Sequence, residues 1–300
     1  MTEQFDIIIV GGGPAGLTAA IYTRRAGKSV LVLEKASMGG QIASSPKVDN
    51  FPGNPAISGI ELAEILYTQA EELGARIELE EVLEIRDGAP KTVVTDYNTY
   101  TGTAVILATG MKHRTMGLDR EETLPGVSFC AVCDGAFYAG RDTAVCGGGN
   151  TALQDTLYLS EICRSVTLIH RRSQFRADPI LVDAVAKRSN VTILTDTVVE
   201  SLLGEDALTG LLLKHTITGE SRELPVHGLF EAVGQQPESA LPRALGIADE
   251  AGFIPAAEDC LTPAAGIFVA GDCRVKEVRQ LTTACADGAV AALAACRFCG

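Results

Sequence analysis

The strongest constraint on the fold is a strand–turn–helix–strand pattern that occurs twice. Residues 5–10, FDIIIV, form an apolar run rich in β-branched side chains, which predicts a buried strand. The run enters GGGPAGLTAAIYTRRAG, where Gly11, Gly13 and Gly16 have G-x-G-x-x-G spacing and a helical pattern begins. The three glycines answer separate demands: a tight turn, close approach of the backbone to a pyrophosphate, and close helix–strand packing. The helix start also offers free N–H groups to phosphates. A second strand, SVLVLE, ends on Glu34, which puts a carboxylate where ribose hydroxyls would lie. A glycine triplet alone is a weak signal; its flanking strand, helix and acid make this one specific.

The second copy is DTAVCGGGNTALQDTLYLSEICRSVTLIHRR, with Gly147, Gly149 and Ala152 in G-x-G-x-x-A spacing. Its closing strand, 165–169, is followed by His170, Arg171 and Arg172, with Arg176 close behind, where the first copy has an acid. A carboxylate favours a free 2′-hydroxyl, whereas guanidinium groups favour a 2′-phosphate through charge-assisted contacts. The first turn is therefore expected to take an adenosine without a 2′-phosphate, and the second NADPH. An exposed basic helix start is the plainer reading of the cluster. In a chain of net charge −13, a basic cluster at this offset from a glycine turn stands out.

That charge also argues against nucleic acid and anionic membranes as partners. The start, MTEQFDIIIV, lacks the basic and apolar regions of a secretion signal, and no apolar run without charges reaches the ~18 residues of a membrane span. Nine cysteines, an odd count over 300 residues, do not form a secreted disulfide framework. A cytoplasmic protein of two domains is expected.

Between the glycine turns, GARIELEEVLEIRDG and KTVVTDYNTYTGTAVILATG alternate and suggest strands of a small sheet. Residues 112–125 and 232–238 read as linkers. The last 60 or so residues hold AGIFVAGDCR and a helical pattern over 281–295 without a glycine turn of their own. They are too short for a separate α/β domain and are expected to complete the first one.

The stretch CAVCDG, 130–135, carries two thiols in C-x-x-C spacing. A zinc site needs a second pair of ligands, and the other C-x-x-C, Cys296 and Cys299, lies at the far end of the chain. No metal is expected. Two buried, inert cysteines are a second reading. Reversible thiol–disulfide exchange fits best, since C-x-x-C motifs at helix starts favour thiolates. Asp134 beside the second thiol is a proton donor or a helix N-cap, with a helix starting after Gly135; spacing leaves both open.

Together these residues resemble the low-molecular-weight, bacterial-type thioredoxin reductases, FAD- and NADPH-dependent pyridine nucleotide-disulfide oxidoreductases. The likeness runs over nearly the whole chain: GGGPAG at 11–16, GGQ at 39–41, NFPG at 50–53, ATG at 108–110, CAVCDGAFY at 130–138, GGGNTA at 147–152, HRRSQFRA at 170–177, GIFVAGD at 266–272 and RQ at 279–280. It implies an α/β protein of two Rossmann-like, three-layer dinucleotide-binding domains. The NADPH domain, 112–237, carries the redox C-x-x-C and is inserted into an FAD domain made of 1–111 and 238–300. For FAD it implies Gly11, Gly13, Pro14, Ala15, Gly16, Glu34, Lys35, Gly39, Gly40, Gln41 and Asn50, with Glu34 on the adenosine ribose. Further along it adds Val82, Ala108, Thr109, Gly110, Gly271, Asp272, Arg279 and Gln280. For NADPH it implies Gly148, Gly149, Asn150, Thr151, His170, Arg171, Arg172 and Arg176.

The implied activity is thioredoxin-disulfide reduction: NADPH reduces FAD, FAD reduces the Cys130–Cys133 disulfide, and that dithiol reduces thioredoxin, with Asp134 as the acid. A homodimer through the FAD domains is implied as well. Nicotinamide and disulfide must both visit one flavin, so two orientations of the inserted domain are expected. The runner-up is the reductase of a peroxidase system or of another thioredoxin-like partner; peroxidase-system chains carry an extra N-terminal thiol domain, and this chain opens on its first strand. Ferredoxin-driven relatives and small-molecule dithiol oxidases lack the basic cluster. A flavin-binding scaffold or sensor without turnover is the reading from another class. The sequence departs from the family at Val132, where Thr is usual, and at Gln154 and Asp155, where an acidic pair is common. The tail CRFCG is expected to be inert, because a helix C-terminus raises a thiol pKa.

Overall fold

The structure, a computed structural model, describes residues 3–45, 48, 50–54 and 56–300. The chain divides into two compact units, one of residues 1–112 and 236–300, the other of residues 113–235.

The first unit opens with β1 (Glu3–Val10), α1 (Pro14–Arg25), β2 (Val30–Glu34) and α2 (Gly59–Glu72). Four strands follow: β3 (Arg76–Leu79), β4 (Val82–Arg86), β5 (Lys91–Thr95) and β6 (Thr99–Leu107). The chain crosses to the second unit in β7 (Met111–His113). That unit runs β8 (Val127–Ser128), α3 (Ala131–Asp134), β9 (Asp142–Gly147), α4 (Asn150–Ile162), β10 (Ser165–Ile169), α5 (Pro179–Ala186) and β11 (Val191–Leu194). It ends with β12 (Thr197–Leu203), β13 (Gly210–His215), β14 (Ser221–Pro225) and β15 (Gly228–Ala232). The return passes through β16 (Gln235–Pro237) to α6 (Ala240–Ala244), β17 (Ile267–Val269) and α7 (Leu281–Phe298).

In the first unit, β1 pairs in parallel with β2 and β6, in the order β3-β2-β1-β6-β5-β4, with β17 also on β6. Ile7, Ile8 and Ile9 are fully buried. Successive side chains of a strand point to opposite faces. Ile7 and Ile9 pack with α1, α2 and α7, whereas Ile8 and Val10 pack with Ile85, Val93, Ile247 and Ile254. Both faces are covered, so the run is apolar throughout instead of alternating. The strands expected to make a small separate sheet join this one. The reason is the length of β6: its first part, Thr99–Gly102, pairs with β5, and its last part, Val105–Leu107, pairs with β17.

The second unit repeats the plan with the parallel order β11-β10-β9-β15-β8. Val145, Val166, Leu168 and Phe230 pack on the helical side, with Leu153 and Leu159 of α4. Ala144, Cys146, Ile169 and Leu229 pack on the antiparallel sheet β12-β13-β14. The segment 112–125, read as a linker, is mostly exposed but anchored at a few points: Leu124 is buried, and Met116 and Leu118 pack against the same core.

Helix α7, with mean hydropathy 1.2 over 18 residues, is long and apolar enough to cross a membrane by length and composition. Here it is a core helix: Ala284, Asp287, Gly288, Ala291, Ala292, Ala294 and Ala295 are buried. It lies so close to α1 that a Cβ on Gly288 would stand 2.2 Å from the carbonyl oxygen of Ala15. Gly288→Ala is therefore expected to force the helices apart and cost about 1–3 kcal/mol, as overpacked cores do. Urea unfolding followed by far-UV circular dichroism measures it; a loss below about 0.5 kcal/mol, ordinary for surface changes, would contradict so tight a contact.

Candidate active site

At the end of β1, Gly11 has φ +113°, and a Cβ there would lie 2.3 Å from the carbonyl oxygen of Ala108. A Cβ at Gly16 would lie 1.8 Å from the carbonyl oxygen of Gly11. Gly13 is the N-cap of α1 and Pro14 sits in its first turn, with no side chain capping the N–H groups there. Those groups are left for a ligand. Glu34 closes β2, and its carboxylate accepts from Gly12 N at 2.7 Å and Ala36 N at 3.0 Å.

Beside this turn lies a cleft of about 110 Å³. Gly11, Glu34, Lys35, Val82 and Thr109 line it, all predicted from sequence. So do Glu80, Glu81, Glu238, Ala240 and Leu241, which sequence reasoning missed. Glu80 is buried and accepts from Thr95, Asn98 and Tyr100, so it serves the wall of the cleft. Glu238 forms an ion pair with Lys35 at 3.0 Å. Their only signal is placement at strand ends, which no motif marks.

Further segments converge on the same turn. Gly39 N donates to Gly12 O at 2.8 Å, bringing Gly39, Gly40 and Gln41 alongside. Gln41 donates to Met111 O at 2.7 Å. Ala108 N donates to Val10 O at 2.8 Å, and Thr109 and Gly110 follow it. A Cβ on Gly271 would stand 2.9 Å from the Ala15 side chain. Asn50 donates to the Gln280 side chain at 3.2 Å, and Gln280 caps α7.

Asp272, next to Gly271, has a buried Oδ1 with no hydrogen-bond partner among the described residues. Burial pushes its carboxyl above the usual range, against the pull of Lys276 and Arg279. Arg279 donates to Asp272 O at 3.2 Å and stacks on Phe253 at 4.4 Å. Asp287 of α7 anchors the turn from within: it accepts from Gly271 N at 3.1 Å, from Arg274 at 3.0 and 3.2 Å, and from Lys276 at 3.0 Å. A buried acceptor without a donor beside a glycine cradle fits a dinucleotide, which brings hydroxyl groups and phosphates.

The second glycine turn is built alike. Gly149 N-caps α4, again without a side-chain cap, and Asn150 and Thr151 begin the helix. The loop after β10 folds back over the turn: Arg176 N donates to Gly148 O at 2.8 Å, and Asn150 exchanges hydrogen bonds with Asp178 at 2.8 and 2.9 Å. The ring of His170 is buried beneath Gly148, where a Cβ would meet it at 2.1 Å, and it stacks on Phe175. Arg171, Arg172 and Arg176 are exposed and form no ion pair among the described residues. Three cations thus stand unneutralised beside the turn.

Cys130 and Cys133 are joined by a disulfide. The helix expected after Gly135 is present as a 3-10 turn over Gly135–Tyr138, and a short helix precedes it: Cys130 is the N-cap of α3, its sulfur accepting from Cys133 N at 3.2 Å. Its carbonyl accepts from Asp134 N at 3.2 Å, so the C-x-x-C stretch forms the turn. Cys133 is exposed and Cys130 half-buried. Asp134 caps nothing with its side chain. Its Oδ2 accepts from the Ser128 hydroxyl at 2.7 Å, and Ser128 Oγ accepts from Cys130 N at 3.0 Å. The spacing that left Asp134 open between cap and acid could not register a partner six residues upstream.

At the chain end, Cys296 and Cys299 are half-buried against the core of the first unit, and Cys299 Sγ lies 3.5 Å from Asp6 O. Burial pushes both thiols up, and Asp6 adds to it.

The family model for pyridine nucleotide-disulphide oxidoreductases matches residues 5–288. The thioredoxin reductase of Listeria innocua is 40% identical over 291 residues, covering 96% of this chain and 91% of the relative. That of Bacillus subtilis is 39% identical over 298 residues, covering 97% and 94%. The crystal structure of Lactococcus lactis thioredoxin reductase superposes with a TM-score of 0.90 at 38% identity, covering 98% of this chain and 99% of that one.

In the protein reduced with dithiothreitol, iodoacetamide at neutral pH should modify Cys130 and Cys133 at least about tenfold faster than Cys296 and Cys299, since thiolate fraction and exposure set the rate. Peptide mass spectrometry reads it, and equal rates would make the tail a reactive dithiol.

Proposed function

Because the chain belongs to the pyridine nucleotide-disulphide oxidoreductases and, among them, to the thioredoxin reductases, we propose that it uses NADPH and FAD to reduce the disulfide of thioredoxin. The observation that carries this reading is the Cys130–Cys133 disulfide on a surface turn, with Cys133 exposed to a protein partner. The first unit is the FAD domain and the second the NADPH domain in this reading. A homodimer through the first unit belongs to it as well. So does a cytoplasmic setting, supported by seven free cysteines.

When bound, FAD and NADPH supply the hydride and electron-pair chemistry. The chain binds, orients and moves protons. The N–H groups at the starts of α1 and α4 meet the pyrophosphates, and Glu34 meets the adenosine ribose of FAD. The buried Oδ1 of Asp272, without a hydrogen-bond donor among the described residues and 3.8 Å from Lys276 Nζ, would accept from a hydroxyl of the flavin dinucleotide. Arg171, Arg172 and Arg176 bind the 2′-phosphate that separates NADPH from NADH. His170 acts from beneath the turn, shaping Gly148 instead of reaching the ligand. When the disulfide opens, Asp134 gives its proton to a departing sulfur. The dithiol then exchanges with thioredoxin through a mixed disulfide.

An NADPH-oxidation assay on the FAD-loaded protein, with thioredoxin as acceptor, tests the reading. Cys130→Ser and Cys133→Ser should each abolish turnover while FAD stays bound and is still bleached by NADPH. Turnover in either variant excludes the pair as the relay.

Arg171→Ala with Arg172→Ala should raise KM for NADPH and leave that for NADH nearly unchanged. Each lost charge-assisted contact is worth about 1.5–3 kcal/mol. An unaltered NADPH/NADH preference would remove these arginines from the 2′-phosphate.

A further inference from the structure

We infer that Ser128 is a positioning residue for disulfide opening, a hydroxyl that serves Asp134 in both of its protonation states. The inference rests on the reading of Asp134 as the proton donor.

Ser128 ends β8 and is 5% exposed, so its hydroxyl has little access to water and must be satisfied by the protein. Three groups surround its oxygen. Asp134 Oδ2 lies at 2.7 Å, Cys130 N at 3.0 Å and Cys130 O at 3.3 Å. A serine hydroxyl has one proton to donate and two lone pairs to accept with. One lone pair is taken by the N–H of Cys130 in every state. With Asp134 ionised, the hydroxyl proton points to the carboxylate. With Asp134 protonated, the carboxyl O–H needs an acceptor, and the second lone pair of Ser128 is in reach. The hydroxyl proton then turns to the carbonyl of Cys130. Every polar atom of the cluster keeps a partner in both states, and the switch takes only a rotation about the serine C–O bond.

The balance during opening follows. The S–S bond breaks on taking up an electron pair from the reductant; dithiothreitol gives that pair from its two thiols, which close into a cyclic disulfide. One sulfur remains a thiolate, and the other takes the proton of Asp134 to become a thiol. Asp134 is left as a carboxylate, and the Ser128 proton swings from the Cys130 carbonyl to meet the new charge. Since Ser128 also holds the N–H of Cys130, the proton donor and the cysteine share one anchor. Alanine at 128 removes the donor that Ser128 offers the new carboxylate and the acceptor it offers the Cys130 N–H. Both losses fall on the step in which the proton moves.

Opening of Cys130–Cys133 by dithiothreitol in the intact, FAD-loaded protein isolates that step from the cofactors. Acid quench and alkylation, read by mass across pH, give the rate. Ser128→Ala should slow opening about tenfold, a fraction of the roughly 100–10,000-fold that positioned acids and bases supply, and should displace the pH profile. Ser128→Thr, which keeps the hydroxyl, should recover the rate to within about twofold. In an Asp134→Asn background, Ser128→Ala should add no further slowing, as expected of residues that act as one unit. If Asp134→Asn is slow and Ser128→Ala opens like the parent, Ser128 has no such role and the reading of Asp134 stands. If Asp134→Asn opens like the parent, both fall. If Ser128→Ala slows opening equally with and without Asp134, or Ser128→Thr fails to recover the rate, Ser128 merely holds the turn and the inference is overturned.

Discussion

The architecture hangs on a contact between two stretches of backbone. Where β1 turns into α1, the position of a Cβ on Gly16 is 1.8 Å from the carbonyl oxygen of Gly11, a distance no side chain tolerates. The bare backbone lets the helix pack against the strand it leaves and brings uncapped N–H groups to the strand end. The second unit carries Ala152 where the first has Gly16, and keeps the bare position at Gly147, where a Cβ would meet Ala232 O at 2.4 Å, just as one on Gly11 would meet Ala108 O at 2.3 Å. In both, removing side chains makes room for a ligand where backbone donors are concentrated.

Buried charge in the two units is managed in opposite ways. Asp287 is met by Arg274, Lys276 and a backbone N–H, so its negative charge is compensated where it is desolvated. Glu231 of β15 is as deeply buried, and it forms no ion pair among the described residues. Burial, with Glu121 beside it, pushes its carboxyl up to about 9. A carboxyl raised in the fold holds a proton that the unfolded chain releases at lower pH. Its effect is to lower stability as pH rises from about 4.5, the ordinary value of a glutamate, to about 9. The first arrangement anchors the turn that carries Asp272; the second keeps Glu231 protonated beside Glu121, whose carboxyl, against the push of burial, its hydrogen bonds hold below the usual range.

Much of the site was legible because its parts are local. Gly11, Gly13 and Gly16 announce a turn through spacing alone, and Glu34 and Arg171 declare opposite preferences through charge at a strand end. The C-x-x-C spacing marked the disulfide, and the helical turn after Gly135 is there, but the turn before it was not foreseen: Cys130 caps α3 with its own sulfur, a role residue preferences do not assign to cysteine. His170 illustrates a different limit. It sits in a basic cluster by sequence, yet its ring is the floor under Gly148, because the loop after β10 folds back over the turn.

Sequence by itself determined the repeated strand–turn–helix units, the opposite charges that follow them and the thiol pair, since backbone geometry and charge at fixed spacing depend on neighbours along the chain. Tertiary structure alone decided what distant segments do for one another. It merged the strands of 76–107 into a single sheet with β1, because β6 is long enough to serve two partners on one edge. It brought α7 against α1, seated Asp287 behind Gly271 and left one oxygen of Asp272 without a hydrogen-bond donor among the described residues. It also set Ser128 between Cys130 and Asp134. Such roles arise where chain segments meet in space, and no local pattern encodes a hydrogen bond whose partner is chosen by packing.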